Sequence, residues 1–120
     1  MDIYFKKEVT YSFAGGKFKF DIGETLFSTF DLDHGTDVLL RSIDCKGVKT
    51  ILDIGCGWGP IGIILAKDNP QAQVTLVDRD LLAVRYSNHN IVKNNIQDAK
   101  ALGSIGMEQL LDQSYDLIVS

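Results

Sequence analysis

The sequence predicts an α/β fold: a parallel sheet with crossover helices, preceded by a β-hairpin. Three observations carry this. From Thr50 onward, short apolar runs alternate with helical segments, which is how buried parallel strands and their crossovers look in sequence. A series of glycines stands where the first of those runs gives way to a helix. Ahead of Thr50, two segments alternate apolar and polar residues with period two on either side of a glycine turn. A length of 120 residues with 45% hydrophobic residues suits one domain, or a large piece of one, with a core of its own.

In chain order, strands are expected over 9–13 and 18–22, joined by Ala14-Gly15-Gly16-Lys17 as a hairpin. After a loop holding Phe27 and Phe30, Asp33 is placed to cap a helix whose Val38, Leu39, Leu40 and Ile43 form an apolar stripe ending near Gly47. Core strands are expected near 50–54, 73–77, 100–102 and 115–119. Pro60 suits the first turn of a helix reaching about Lys67, with Asn69-Pro70 ending it. A second helix follows Asp80, with Leu81, Leu82, Val84, Ile91 and Val92 as an incomplete apolar face and Asn94-Asn95 as its stop. A third, shorter helix holds Met107, Leu110 and Leu111. The chain divides into 1–48, the hairpin and helix, and 49–120, a Rossmann-like half.

Composition excludes several functions. A net charge of -4 gives none of the global basic bias that advertises nucleic-acid binding, so any such substrate must be held locally. Cys45 and Cys56 are too few for a disulfide framework and lack metal-ligand spacing against His34 or His89. Thiols of this kind suit a reducing cytoplasm. The N-terminus carries no signal-like pattern, and no apolar run approaches the ~18 residues that span a bilayer.

The informative stretch is Ile51-Leu52-Asp53-Ile54-Gly55-Cys56-Gly57-Trp58-Gly59-Pro60-Ile61-Gly62. Glycines between a strand and a helix let the backbone turn tightly and approach a ligand closely. The next strand ends in Asp78, where a ribose with two free hydroxyls would be gripped. Two cofactors fit this pattern. Gly57, Gly59 and Gly62 match the dinucleotide fingerprint, with Asp78 near its expected offset. Against that, the glycine series begins already at Gly55, and Asp53 would repel a pyrophosphate seated at the helix N-terminus. S-adenosylmethionine has no phosphate, and an acid beside the loop can bond its ammonium directly or through water.

The run from Leu52 to Gly59 resembles the first motif of class I methyltransferases, and Asp78 the second. With Phe27-Ser28, Asp31, Asp33-His34-Gly35-Thr36 and Leu39-Leu40 upstream, the chain resembles the small-domain methyltransferases related to the ribosomal small-subunit RNA guanine N2-methyltransferases. The resemblance implies a class I core that binds S-adenosylmethionine through Thr36, Asp53, Gly55, Cys56, Gly57, Trp58, Gly59, Asp78, Arg79, Ser104 and Ile105. It implies RNA as the methyl acceptor, although relatives also act on DNA amines, protein amides and small molecules.

Two departures stand out. The resembled family places an acid near the adenine, where this chain has Gly103-Ser104-Ile105-Gly106; Ser104 or the backbone then accepts the amino group, or apolar contact holds the ring. The family's Asn-Pro-Pro motif, which aims the target amine, would follow Ser120. No catalytic residue is therefore assigned, and Asp53 is expected to orient cofactor as an ionised carboxylate. The expectation is an N-terminal part of a longer enzyme, with the edge at 115–119 inviting self-association.

Other residues have plainer readings. Cys56 reads as a small residue tolerated in the loop rather than a nucleophile, and His34 and His89 as surface or capping residues. Lys6, Lys7, Lys17 and Lys19 interleave with Asp2, Glu8, Asp21 and Glu24, as on a solvated hairpin. Trp58 either walls the cofactor pocket, stacks on a base or packs against the hairpin.

Overall fold

The computed structural model describes residues 3–26, 34–104 and 114–120. Strands β1 (Phe5–Phe13) and β2 (Gly16–Gly23) form an antiparallel hairpin, followed by a 3-10 turn (Glu24–Leu26) and helix α1 (His34–Ser42). The core then alternates: β3 (Thr50–Ile54), α2 (Pro60–Asp68), β4 (Gln73–Asp78), α3 (Leu81–Lys93), β5 (Ala99–Gly103) and β6 (Leu117–Val119). Its four strands are parallel, in the order β5-β4-β3-β6. Among the described residues no helix is long and apolar enough to cross a membrane.

The hairpin turns more tightly than expected. Ala14 and Gly15 alone connect the strands, both at positive φ (51° and 81°), so pairing continues to Phe13 opposite Gly16. Two successive positive φ values give the turn the twist of the flanking strands, which the apolar pattern could not show. Helix α1 stops before the expected boundary. The Ser42 hydroxyl donates to the Leu39 carbonyl at 2.7 Å, and the chain leaves the helix ahead of Ile43. Leu40 is buried, whereas Val38 and Leu39 are exposed, so the expected stripe covers less of the core than its hydropathy suggests.

The other boundaries follow local signals. Pro60 opens α2, and Asp80 caps α3 by accepting from Leu82 N at 2.9 Å. Asn94 is the C-cap of α3, and Asn95 takes φ 57°. Strand β6 is shorter than 115–119, and Asp116 just ahead of it ties it to β3, its N–H donating to the Thr50 carbonyl at 3.1 Å. Its carboxylate accepts from Lys49 N at 2.8 Å and Thr50 N at 3.3 Å, fixing β6 beside the start of β3. The loop with Phe27, Phe30 and Asp33, and the third helix expected around Met107, Leu110 and Leu111, lie outside the described residues.

Helix α2 is buried from Pro60 through Ala66, while α3 buries one side, including Ala83, Tyr86, Ser87, Asn90 and Ile91. The hairpin completes this layer through Phe13, Phe18, Phe20 and Ile22. Its docking is partly polar. Asn94, one turn after Asn90, donates to the Lys19 carbonyl at 2.8 Å and accepts from Lys19 N at 3.0 Å, substituting for a neighbouring strand. Lys93 reaches Glu8 at 2.7 Å and Asp21 at 3.1 Å, and His89 Nε2 lies 2.6 Å from Asp21. Four charged or ionisable groups thus pair across the hairpin–α3 seam, whereas the residue pattern suggested a merely solvated hairpin. Asn94→Ala is expected to cost ~1–3 kcal/mol by leaving a backbone donor and acceptor unpaired, read from urea unfolding. An unchanged midpoint would contradict the strand-substitute role.

Candidate cofactor-binding site

Strand order sets the place of the site. From β3 the chain winds outward to β4 and β5, then returns to β6 on the other side, so the order reverses between β3 and β6. Open parallel sheets bind ligands at the carboxyl ends of their strands beside such a reversal. The glycine loop leaves β3 there. Asp78 closes β4 and pairs with Gly103 at the end of β5, with Ser104 next in the chain.

The loop is held by its own amides. Gly55 N and Cys56 N donate to the Val77 carbonyl, Gly59 N to the Cys56 carbonyl, Gly57 N to Asp78 Oδ2 at 2.9 Å, and Gly62 N to Asp53 Oδ2 at 3.1 Å. Gly55, Gly57 and Gly59 have φ of 73°, 59° and 95°. Around Gly55 an added Cβ would meet nothing within 4 Å, so the loop presents bare backbone to open space there. At Gly62 the reason for glycine differs: a Cβ would stand 2.7 Å from Leu76 Cδ2 and 3.0 Å from Asp53 Oδ2, so α2 lies too close to the sheet for a side chain.

The two acids sit differently. Asp78 is half-buried and already bonded: Oδ2 accepts from Gly57 N, and Oδ1 from Asp80 N at 2.9 Å. Asp53 is 3% exposed beneath the loop. Burial pushes its carboxyl up to about 7, opposed by the Gly62 N–H and reinforced by the charge of Asp78. The sequence reading expects this carboxylate to stay ionised beside the cofactor's ammonium; in the ligand-free chain desolvation outweighs the single backbone donor.

Of the other residues proposed from sequence, Cys56 is buried and its sulfur lies 3.4 Å from Ser87 Oγ. Burial pushes its thiol up to about 12, which leaves it inert as a nucleophile. Trp58 is 1% exposed and its ring points into the core edge-on to Phe20 with centroids 5.1 Å apart, so the ring does not wall the loop. Arg79 is exposed beyond the β4 end, and Ser104 is half-buried beyond the β5 end. Thr36 lies on the first turn of α1 with its side chain outside what is described, and Ile105 lies outside the described residues.

Sequence reasoning missed the supports on α3. Ser87 Oγ donates to the Gly57 carbonyl at 2.8 Å, and Asn90 Nδ2 donates to the Trp58 carbonyl at 2.8 Å. A signal existed in the polar residues Ser87, Asn90 and Asn94, spaced three and four apart on a helix that otherwise turns apolar residues to the core. A cavity of about 310 Å³ opens at the starting ends of the strands beside Thr50, Gln73 and Asp98, and one of about 350 Å³ lies beside Lys67, Asn95 and Asp98; neither is lined by the glycine loop. Among the described residues no group of three or more His, Cys, Asp or Glu side chains is arranged to hold a metal ion.

Comparison with known proteins agrees with this architecture. Residues 17–120 match the family model of the methyltransferase small domain. The ribosomal RNA small subunit methyltransferase C of Haemophilus influenzae is 34% identical over 95 residues, which cover 79% of this chain and 28% of that protein. An uncharacterized protein of Bacillus subtilis, YbxB, is 33% identical over 96 residues, covering 79% of this chain and 48% of its own. The chain thus spans under half the length of these relatives. Among solved structures, a Pyrococcus abyssi tRNA (uracil-54, C5)-methyltransferase in complex with S-adenosyl-L-homocysteine superposes with a TM-score of 0.62 at 23% identity, over 82% of this chain and 24% of that one. A protein from Staphylococcus aureus described as a putative caffeoyl-CoA O-methyltransferase gives 0.61 at 23% identity, over 74% and 45%. At that identity the structures speak for the fold, and the family model with the sequence relatives speaks for descent: the chain belongs to the methyltransferase small domain family.

Proposed function

We propose that the glycine loop at 55–59 and Asp78 bind S-adenosylmethionine, and that the domain serves a methyltransferase acting on RNA. One observation carries the choice of cofactor. The N–H groups of Gly55, Cys56, Gly57, Gly59 and Gly62 all donate to acceptors within the protein, and two of those acceptors are the carboxylates of Asp53 and Asp78. A pyrophosphate needs such amides for itself and a positive helix end. Acids against the loop repel it and favour a ligand with a cationic tail, which is the chemistry of S-adenosylmethionine.

The residues present fit that group. Asp78 is anchored by Gly57 N and Asp80 N and still partly open to solvent, which leaves lone pairs to accept from a ribose at the β4 end. Asp53, buried under the loop, supplies negative potential there rather than a reachable side chain. Ser104, at the β5 end, is the candidate partner of the adenine. The bound cofactor supplies an electrophilic methyl group on a sulfonium. The chain's part is to hold that group in a fixed place, since alignment of donor and acceptor removes ~7–11 kcal/mol of such a barrier. None of the described residues is assigned as a general base.

Asp78→Ala is expected to weaken S-adenosylhomocysteine binding at least about tenfold, because a charge-assisted hydrogen bond is worth ~1.5–3 kcal/mol and the loop loses its Gly57 anchor. Calorimetric titration checks this, and equal affinity would remove Asp78 from the site. For the acceptor, the relatives named as ribosomal RNA methyltransferases and the sequence resemblance favour an exocyclic guanine amine. Labelled methyl from S-adenosylmethionine is expected on small-subunit ribosomal RNA as N2-methylguanine; label recovered only on DNA or protein would refute that acceptor.

A further inference from the structure

Two links tie the hairpin to the glycine loop, one through a buried side chain of α3 and one by direct ring contact. Asn90 is fully buried, and both its amide hydrogens are used: one donates to the Asp21 carbonyl at 3.0 Å, the other to the Trp58 carbonyl at 2.8 Å. Its Oδ1 accepts from Asp21 N at 2.8 Å. One carboxamide therefore joins β2 to the Trp58 carbonyl of the loop with both partners in good geometry. Trp58 makes the same connection in the other sense, with its backbone in the loop and its ring against Phe20 of β2. Around this link, Lys93 holds Asp21 at 3.1 and 3.2 Å and Glu8 at 2.7 Å, and His89 closes on Asp21 at 2.6 Å.

We infer that Asn90 is a positioning residue for the cofactor loop, and that docking of the hairpin on α3 sets cofactor affinity through it. The inference rests on the reading of the glycine loop as the cofactor site. Its physical basis is that the carbonyl of Trp58 has a fixed donor only while Asn90 is itself fixed, and Asn90 is fixed by the hairpin backbone it clamps. The Gly57 carbonyl, one residue earlier, is held by Ser87 from the same helix, so α3 carries the loop as a rail. A hairpin that loosens from α3 releases one end of that rail. The hairpin's outer strand is exposed along most of its length, where a bound macromolecule would bias its docking.

The test uses two variants on the link and one away from it. Asn90→Ala removes the clamp, and Lys93→Met breaks the outer ion pairs without touching the loop. Val48→Ala creates a packing defect ahead of β3, at the opposite end of the sheet. All are titrated with S-adenosylhomocysteine well below their melting temperatures. Coupling of the usual size raises Kd about tenfold for Asn90→Ala and about threefold for Lys93→Met, with Val48→Ala unchanged even though it too melts earlier. Trp58 is the chain's single tryptophan, so its emission in ligand-free protein should shift to the red in the first two variants only. Unchanged Kd and emission in Lys93→Met, or equal weakening by Val48→Ala, would overturn the inference; should Asn90→Ala not fold, Lys93→Met decides. Absence of wild-type binding, or binding indifferent to Asp78→Ala, would instead remove the site reading itself, whereas binding that responds to Asp78→Ala but to neither link variant removes only the coupling.

Discussion

Asp53→Asn is expected to stabilise the ligand-free protein at pH 8 and to destabilise it at pH 4. Burial raises the Asp53 carboxyl from an ordinary 3.8 to about 7, because the hydrogen bond from Gly62 N does not offset lost hydration and Asp78 adds a like charge. The sign follows from proton uptake. Below 3.8 both folded and unfolded chains hold the proton; between 3.8 and 7 the unfolded chain loses it first, so stability falls as pH rises through that window and levels off above it. A displacement of this size corresponds to on the order of 4 kcal/mol across the window. Asparagine keeps an acceptor for the Gly62 N–H and cannot ionise, but it buries an amide donor at a cost of ~1–3 kcal/mol, leaving a net gain of roughly 1–3 kcal/mol at pH 8. Urea unfolding at pH 4, 6 and 8 reads the effect, and parallel pH profiles for wild type and variant would contradict it. The same acid gives ligand binding a pH dependence. A cationic ligand favours the ionised carboxylate, so affinity should rise as pH passes through about 7 in the wild type and not in Asp53→Asn.

Gly59→Ala is expected to be the most damaging single-methyl change in the loop. Its φ of 95° is strained for any side chain, at ~1–3 kcal/mol. A Cβ would also stand 2.8 Å from Ile63 Cδ1, 3.2 Å from Ser87 Oγ and 3.4 Å from Ser87 Cα. Ile63 and Ser87 are fully buried, so neither has space to retreat, and overpacking adds ~1–3 kcal/mol. The combined loss is about 2–6 kcal/mol. Gly55→Ala is the internal control. Its φ of 73° brings the backbone cost, but no atom within 4 Å opposes a Cβ, so it should lose only ~1–3 kcal/mol. Equal losses in the two variants, measured by urea unfolding, would show that packing of Gly59 against α3 is not the constraint.

The parts of the fold legible in the sequence are those whose signals are local. Pro60 at the start of α2, Asp80 capping α3 and Asn94-Asn95 ending it each act within a turn of their own position. The glycine loop was legible for the same reason, and with it the places of Asp53 and Asp78 at strand ends. What was not legible depends on partners far along the chain. Asn94 reads as a helix stop and Asn90 carries no local signal, yet their partners Lys19 and Asp21 lie 75 and 69 residues away. The direction of the Trp58 ring and the burial of Asp53 are likewise set only when hairpin, α2 and sheet close on one another. The shortened α1 has a nearer cause, since Ser42 uses its hydroxyl on a backbone carbonyl in competition with regular helix bonding.

The central claim is that the glycine loop takes a phosphate-free nucleoside with a cationic tail. Parallel calorimetric titrations with S-adenosylhomocysteine and NAD near neutral pH test it most directly. Saturable heat with S-adenosylhomocysteine and none with NAD is the expected result; saturable binding of NAD without binding of S-adenosylhomocysteine would contradict it.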